Sequence, residues 1–374
     1  MRIALFSGNY NYVREGANQA LNRLVAHGER NGHKFRIYSP VTDTPAFEPS
    51  GDLVPVPSIA LPVRSEFRLA PGVPAKIRDD VRAFGPDLIH VSTPDILGTR
   101  AQSFAKRLGV PAVASLHTRF ETYLGFYRLD WLRPLAQAHL RRFYRRSDHV
   151  LVPTAKIARE IGAMRGDDRV TVWSRGVDRE QFSPKRRALG WRRSKGWDDD
   201  DVVVLFFGRL VLEKGVEDFI SVVRHAQAKG IEVKPLVVGA GPAKKALAAL
   251  PDALLTGHLD GAELACAVAS ADILIHCSNT EAFGNVVLEA MASGLAIVSS
   301  DSDSSKALIT NGRDGVLCPA GNIDCLAREV SALARDPERC RELGKAARSA
   351  SAAYSWHKAS SSVLEAYSRT LAGF

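Results

Sequence analysis

Two doubly wound α/β domains are predicted by three features of this sequence. The chain has 374 residues, whereas a single hydrophobic core stops growing at roughly 250–300. In each half, short apolar runs alternate with helix-length segments of 3.6-residue apolar spacing, the pattern of a parallel sheet covered on both faces. Midway, the composition shifts to the charged stretch SPKRRALGWRRSKGWDDDD at 183–201. We therefore expect domains at 1–183 and 202–355, a linker at 184–201, and a terminal helical segment at 356–374.

The first half opens with an expected strand at 3–7, a polar loop and an amphipathic helix at about 17–30. Further strands are expected at 35–38, 88–91, 112–116 and 150–152. Residues 42–74 are proline-rich without clear periodicity, which predicts an irregular connection with one short strand at most. The second half repeats the strand-loop-helix pattern, with strands at 202–207, 234–238, 253–255, 273–276, 296–299 and 315–317. A helix at about 356–371 closes the chain, and nothing local decides which domain it packs on.

Hydrophobic residues are 45% and charged residues 24% of the chain, which argues against disorder and fibrous repeats. The opening apolar stretch is too short for a signal peptide, and no later run approaches the ~20 residues that span a bilayer, so a cytoplasmic protein is expected. Cys266, Cys277, Cys318, Cys325 and Cys340 form no CxxC pair. Buried free thiols are expected of them rather than zinc or redox chemistry.

The net charge of +9 is carried by the first half: residues 1–183 hold 27 Lys and Arg against 18 Asp and Glu, and the remainder 23 against 23. Such asymmetry points to an anionic partner, a membrane surface or a charged acceptor. No zinc-finger spacing, RNP-like aromatic run or basic zipper accompanies it, so nucleic acid is not expected. A basic helix at about 132–146 sets Arg133, Arg141, Arg142, Arg145 and Arg146 beside Leu135, Leu140 and Phe143. That pattern fits peripheral contact with an anionic leaflet, and equally a solvated basic face.

In open α/β sheets ligands bind beyond the carboxyl ends of the strands, so the loops that follow strands are the places to look for chemistry. GRLVLEKG at 208–215 sets Arg209 and Lys214 at a strand end beside a helix amino terminus, an arrangement suited to a diphosphate. The absence of GxxxxGK[ST] excludes an ordinary P-loop. In EAFGNVVLE at 281–289, seven residues separate Glu281 from Glu289. Glu289 lies within an otherwise apolar helix, where a ligand hydroxyl would satisfy its carboxylate. The free N–H groups of Gly284, Asn285 and Val286 are placed to hold a phosphate, and Ala282, Phe283 and Val287 belong to the same candidate donor-binding turn. Gly239 and Gly241, after the strand at 234–238, allow close backbone approach. In the first half His117 ends a strand and is followed by Thr118, Arg119 and Tyr123. Gly16 opens the first helix, where a phosphate or sugar has room to approach. Asp301-Ser302-Asp303 is too weak a DxD pattern to support a metal site.

Together, Gly16, His117, GRLVLEKG and EAFGNVVLEAMASG resemble the retaining glycosyltransferases of family 4, over essentially the whole chain. The resemblance implies the GT-B fold: two Rossmann-like, doubly wound parallel-sheet domains facing a cleft, with the last helix crossing back to the first domain. It implies a nucleotide-sugar donor on the C-terminal domain, an acceptor on the N-terminal one and no metal. Carried over residue by residue, Arg209 and Lys214 stabilise the leaving diphosphate and Glu281 binds donor-sugar hydroxyls. Glu289 holds the ribose, Gly284 to Val287 contact phosphate and sugar, and Gly257, His258 and Leu259 flank the base. His117 sits by the reacting sugar, and Tyr12, Thr118, Arg119 and Tyr123 are candidates for acceptor contact.

Two departures are visible. Ser174-Arg175-Gly176-Val177-Asp178 stands where the family often has Asn-Gly-Val-Asp, and a frequent double glycine near the first helix is reduced to Gly16. Both resemble the branch that glycosylates membrane lipids, including sulfoquinovosyl- and diacylglycerol-type transferases and some GDP-mannose-dependent mannosyltransferases. The expected reaction is transfer of a hexosyl group from a UDP- or GDP-sugar to a lipid or glycolipid hydroxyl. A GDP-mannose-dependent α-mannosyltransferase acting on another acceptor, a nucleotide-sugar 2-epimerase and an idle sugar-nucleotide-binding protein are the alternatives.

Overall fold

The computed structural model describes residues 1–60, 67–127 and 129–374. The chain divides into two compact units. The first comprises Met1–Leu124, Leu129–Gly176 and Trp356–Phe374, and the second is built on Val177–Ser355.

In the first unit the strands are β1 (Arg2–Phe6), β2 (Lys34–Ser39), β3 (Asp52–Pro55), β4 (Ile59–Ala60), β5 (Arg68–Leu69), β6 (Leu88–Val91), β7 (Ala112–Ser115), β8 (His149–Val152) and β9 (Val170–Val172). All but β4 and β5 form one parallel sheet in the order β3-β2-β1-β6-β7-β8-β9, and β4 and β5 pair as a small antiparallel ribbon. The helices are α1 (Gly16–Arg30), α2 (Ala75–Phe84), α3 (Ile96–Leu108), α4 (Phe120–Tyr123), α5 (Arg133–Arg145), α6 (Ala155–Arg165) and, at the end of the chain, α15 (Trp356–Ala372). Helix boundaries follow local chemistry. The Asp95 carboxylate caps α3 by accepting from Gly98 N–H, Thr154 caps α6, and left-handed Gly109 and Gly166 end the two helices. Val363, Ala366 and Tyr367 of α15 are buried in the same core as Leu21 and Leu24 of α1 and Ile3 and Leu5 of β1.

The second unit carries β10 (Val203–Phe207), β11 (Lys234–Val238), β12 (Leu254–Gly257), β13 (Ile273–His276), β14 (Ala296–Ser300) and β15 (Val316–Cys318) in the parallel order β12-β11-β10-β13-β14-β15. Around it lie α7 (Leu189–Ser194), α8 (Val216–Ala228), α9 (Lys244–Ala248), α10 (Gly261–Ala269), α11 (Asn285–Ala292), α12 (Asp303–Leu308), α13 (Ile323–Arg335) and α14 (Pro337–Ser351). The central strands are buried on both faces, as their runs of Val, Ile, Leu and Phe require. Each sheet reverses its strand order once, between β1 and β6 and between β10 and β13. Those reversals open a crevice at the carboxyl edge of the sheet.

Several expectations are corrected. The charged stretch 184–201 is not a free linker but part of the second unit, and the division falls at Gly176 and Val177. Arg192 is fully buried there, paired with Asp272 at 3.1 Å and donating to Ser270 O at 2.9 Å, while Trp197 joins the apolar core. A run rich in Arg reads as solvated because the single carboxylate that gathers Arg187 and Arg192 lies about eighty positions away. Within residues 42–74 the described part holds β3, β4 and β5 rather than one short strand, and residues 61–66 lie outside the described residues. β9 was missed because it is three residues long, with none of them fully buried. Cys318 and Cys325 are joined in a disulfide and are not free thiols; Cys277 and Cys340 are free and buried, and Cys266 is only partly buried.

Candidate functional site

In the second unit, the loop after β10 and the loop after β13 meet at the point where strand order reverses. Lys214 stands in a single 3-10 turn, Leu212–Lys214, that ends at left-handed Gly215 (φ 72°). A Cβ on Gly215 would lie 2.6 Å from Cβ of Cys277, so only glycine lets this turn lie against the end of β13. The contact is closed by Ser278 and Thr280, whose hydroxyls donate to Glu213 O at 2.9 and 3.3 Å. This close seating brings Lys214 Nζ to 2.7 Å from Glu281 Oε1, with 22% and 10% of the two side chains exposed.

Glu281 has a second partner in His276, the last residue of β13, whose Nε2 lies 3.4 Å from the same oxygen. Beneath it, Nδ1 of His276 meets Ser299 Oγ at 3.0 Å, and Ser299 meets Ser305 at 2.8 Å. Burial pushes the Glu281 carboxyl up, but the Lys214 ammonium and the His276 contact outweigh it and hold the group well below the usual carboxylate range. Glu281 is thus a fixed anion beside a fixed cation.

The loop after Glu281 turns into α11 through left-handed Gly284 (φ 91°), and no side chain caps the helix. The N–H groups of Asn285 and Val286 therefore remain open to an anion, whereas Val287 N–H donates to Gly284 O at 3.1 Å. Oδ1 of Asn285 is buried with no hydrogen-bond partner among the described residues. Ala282, Phe283 and Val287 face the core and position the turn, whereas Asn285 and Val286 are partly exposed. Glu289 is partly buried and meets no donor among the described residues. Burial, and secondarily the charge of Glu281, push its carboxyl up to about 8. Arg209 is partly buried at the end of β10, in the same loop as Lys214.

Gly239 and Gly241 follow β11, where an added side chain would strike the backbone of the neighbouring loop. A Cβ at Gly239 would lie 1.8 Å from Gly208 O, and one at Gly241 would lie 2.4 Å from Leu210 O. These glycines let the loop after β11 zip to the loop bearing Arg209, through Gly208 N to Val238 O at 3.0 Å and Leu210 N to Ala240 O at 2.9 Å. After β12, His258 is exposed and Leu259 is packed against the core. Both lie on the same sheet edge as Lys214, at its β12 end.

In the first unit His117 follows β7 and is engaged on both ring nitrogens. Nε2 lies 2.8 Å from Ser115 Oγ, and Nδ1 lies 2.9 Å from Nη2 of Arg175. Burial pushes its pKa well below the ordinary histidine value, with Arg175 and His90 adding to the shift. Tyr12 is buried; its hydroxyl donates to Gly8 O at 2.7 Å and accepts from Arg68 N at 3.2 Å, which makes it a brace of the loop after β1. Arg119 is paired with Glu121 and Glu160 at 3.0 and 3.4 Å, and Thr118 is partly exposed. The Tyr123 side chain lies outside the described residues. Gly16 is the first residue of α1, whose amino end also lacks a side-chain cap. Reading the sequence alone gave no role of its own to Gly215, His276, Ser278, Thr280 or Arg175. Gly215 ends the GRLVLEKG motif, Arg175 stands in the segment that departs from the family pattern, and His276 ends a strand five residues before Glu281.

Among the described residues, no three or more His, Cys, Asp or Glu side chains gather as a metal site, and no helix is long and apolar enough to cross a membrane.

Comparison with known proteins bears on the same two halves. Residues 14–181 match the family described as Glycosyltransferase Family 4, and residues 190–350 match Glycosyl transferases group 1. The GDP-mannose-dependent alpha-mannosyltransferase of Mycolicibacterium smegmatis is 32% identical over 95% of this chain and 94% of its own length. The sulfoquinovosyl transferase SQD2 of Arabidopsis thaliana is 31% identical over 84% of this chain, a match that spans 63% of that protein. The alpha-monoglucosyldiacylglycerol synthase of Acholeplasma laidlawii is 25% identical, covering 84% of each chain. Among solved structures, Anabaena Alr3699/HepE in complex with UDP and glucose superposes with a TM-score of 0.75 at 19% identity, covering 99% of this chain and 100% of that one.

Proposed function

The chain belongs to the family 4 glycosyltransferases with the GT-B fold, and from that premise we propose that it moves a hexosyl group, with retention at the anomeric carbon, from a UDP- or GDP-sugar to a hydroxyl of a membrane lipid or glycolipid. The observation that carries this reading is the ion pair of Lys214 and Glu281 at the strand-order reversal, beside the uncapped amino end of α11. A diphosphate placed there meets Lys214, Arg209 and the open N–H groups, while Glu281 and Glu289 accept from sugar hydroxyls. The bond from the anomeric carbon to the diphosphate oxygen breaks, and the leaving group departs with its electron pair toward these cations. The acceptor hydroxyl attacks from the same face and gives up its proton to the leaving phosphate, so the reaction needs no metal. The 2-epimerase alternative is set aside, since the relatives are named as transferases or a synthase.

The acceptor class rests on the relatives, one of which is named for diacylglycerol. A mannosyl donor is the second reading, favoured by the relative that covers nearly the whole chain. A thermal-shift panel of UDP-, GDP- and ADP-sugars separates the two. Stabilisation by a UDP- or GDP-sugar, followed by transfer to a diacylglycerol-type acceptor in the presence of EDTA, is the expected result. Failure of every nucleotide sugar to shift the melting temperature would end the proposal.

Peripheral contact with the cytoplasmic membrane face belongs to the same reading. Phe143 points into the core and is no part of such a surface. Trp131 and Leu135 are 74% and 69% exposed, and Arg141 and Arg142, further along α5, are exposed without an ion pair among the described residues. Apolar side chains flanked by unpaired arginines suit an anionic leaflet, at about 1 kcal/mol per basic residue near the surface. Flotation with liposomes rich in anionic lipid should carry the protein at low salt and lose it at high salt. Absence of binding at low salt would remove the membrane from the proposal.

A further inference from the structure

A buried hydrogen-bond chain runs through the first unit. Tyr367 Oη of α15 lies 2.6 Å from Nδ1 of His90; Nε2 of His90 lies 2.8 Å from Ser115 Oγ; and Ser115 Oγ lies 2.8 Å from Nε2 of His117. The chain ends at Arg175, which reaches Nδ1 of His117 at 2.9 Å. The guanidinium is itself fixed, since Nη1 donates to Trp173 O at 2.8 Å and the group stacks on the Trp173 ring at 5.0 Å. Arg175 is buried and has no carboxylate partner among the described residues. An arginine can only donate. Nδ1 of His117 must therefore be a bare acceptor, and the ring proton must sit on Nε2.

We propose that Arg175 is a positioning residue that holds His117 as the neutral Nε2–H tautomer, so that His117 meets the donor sugar only as a hydrogen-bond donor and never as a base. The inference rests on the reading of His117 as a contact to the reacting sugar. Ser115 links the two rings, its hydroxyl lying 2.8 Å from Nε2 of both His90 and His117. The charged and titratable groups that face His117 are Arg175, from the segment after β9, and His90, from β6. The Trp173 ring lies edge-on at 5.1 Å. Burial, and after it the Arg175 charge, opposes protonation of the ring and depresses its pKa.

The test has two arms. In full-length protein labelled with nitrogen-15 at histidine and assigned against H117Q, His117 should show a bare Nδ1 and a protonated Nε2, unchanged across about pH 5–8 where a free histidine titrates. A protonated Nδ1, or titration within that range, overturns the proposal without reference to activity. In the second arm Arg175→Met frees the tautomer, and transfer falls roughly three- to tenfold at neutral pH, the worth of one misdirected hydrogen bond. The ratio of variant to parent then recovers only at pH below about 6.5, since burial still disfavours protonation in the variant, and it recovers because imidazolium carries a proton on Nε2 whichever tautomer preceded it. Arg175→Lys, whose ammonium also donates to Nδ1, should keep both the tautomer and a flat ratio. A Met variant with an unaltered tautomer, or with a pH-independent ratio, refutes the role. If the tautomer holds but H117Q transfers at the full rate, the assignment of His117 to the sugar has failed and the tautomer lock stands.

Discussion

Lys214→Ala should lower the turnover of sugar transfer by two to three orders of magnitude. Removal of one oriented charge contact to a developing anion typically costs ~3–4 kcal/mol in the transition state. Lys214 is held rigidly in place. Gly215, Ser278 and Thr280 seat its turn against the end of β13, and Glu281 fixes the ammonium at 2.7 Å. The loss should fall on kcat more than on the donor KM, because the diphosphate gains charge as the glycosidic bond breaks. The substitution also strips Glu281 of its main partner and leaves His276 alone beside the carboxylate. The sign of the pH dependence follows. A carboxyl whose folded pKa is depressed contributes stability above its unfolded value of about 4.3, and that stability is lost only as pH falls through the folded value. The parent pair should therefore resist mild acid, and the Ala variant should lose stability at neutral pH. Steady-state kinetics with a saturating acceptor measures the first effect, and near-parental turnover would remove Lys214 from the chemistry.

The parallel sheets, their helices and the placing of the basic and the acidic motif in loops after strands were legible in the sequence, because a buried parallel strand must be a short apolar run and its chemistry must follow it. Lys214 and Glu281 illustrate this. Each stands after such a run, and the fold brings them together at the reversal of strand order. What escaped was set by contacts between distant positions. The charged run at 184–201 belongs to the second unit because Asp272 gathers Arg187 and Arg192. The close packing of Gly239 and Gly241 is of the same kind, since the atoms a side chain would strike there belong to Gly208 and Leu210. The pairing of Arg175 with His117 spans 58 positions, and only the folding of β7 and β9 into one sheet, on either side of β8, brings them within reach. Phe143 alternates with arginines along α5 as a membrane anchor would, but it faces the core.

Glu289 should impose a pH dependence on donor binding that Glu289→Gln abolishes. Burial, with the negative charge of Glu281 adding to it, raises the carboxyl to about 8, so in the empty site it is largely protonated at neutral pH. To accept from two ribose hydroxyls it must ionise, and binding then releases a proton. Donor affinity should rise about tenfold per pH unit from about pH 6 until it levels near 8. The Gln variant should bind weakly and equally across the range, since its amide has no proton to release and accepts through one oxygen only. Stability runs the other way. A carboxyl with a raised folded pKa holds its proton in the folded chain after the unfolded chain has lost it, so the empty enzyme should lose stability as pH climbs from about 4.3 to 8. The Gln variant should escape that loss. Calorimetric titration of UDP and GDP in two buffers of different ionisation enthalpy counts the protons released. A count of zero at neutral pH would place the ribose away from Glu289, and with it the register of the nucleotide along α11.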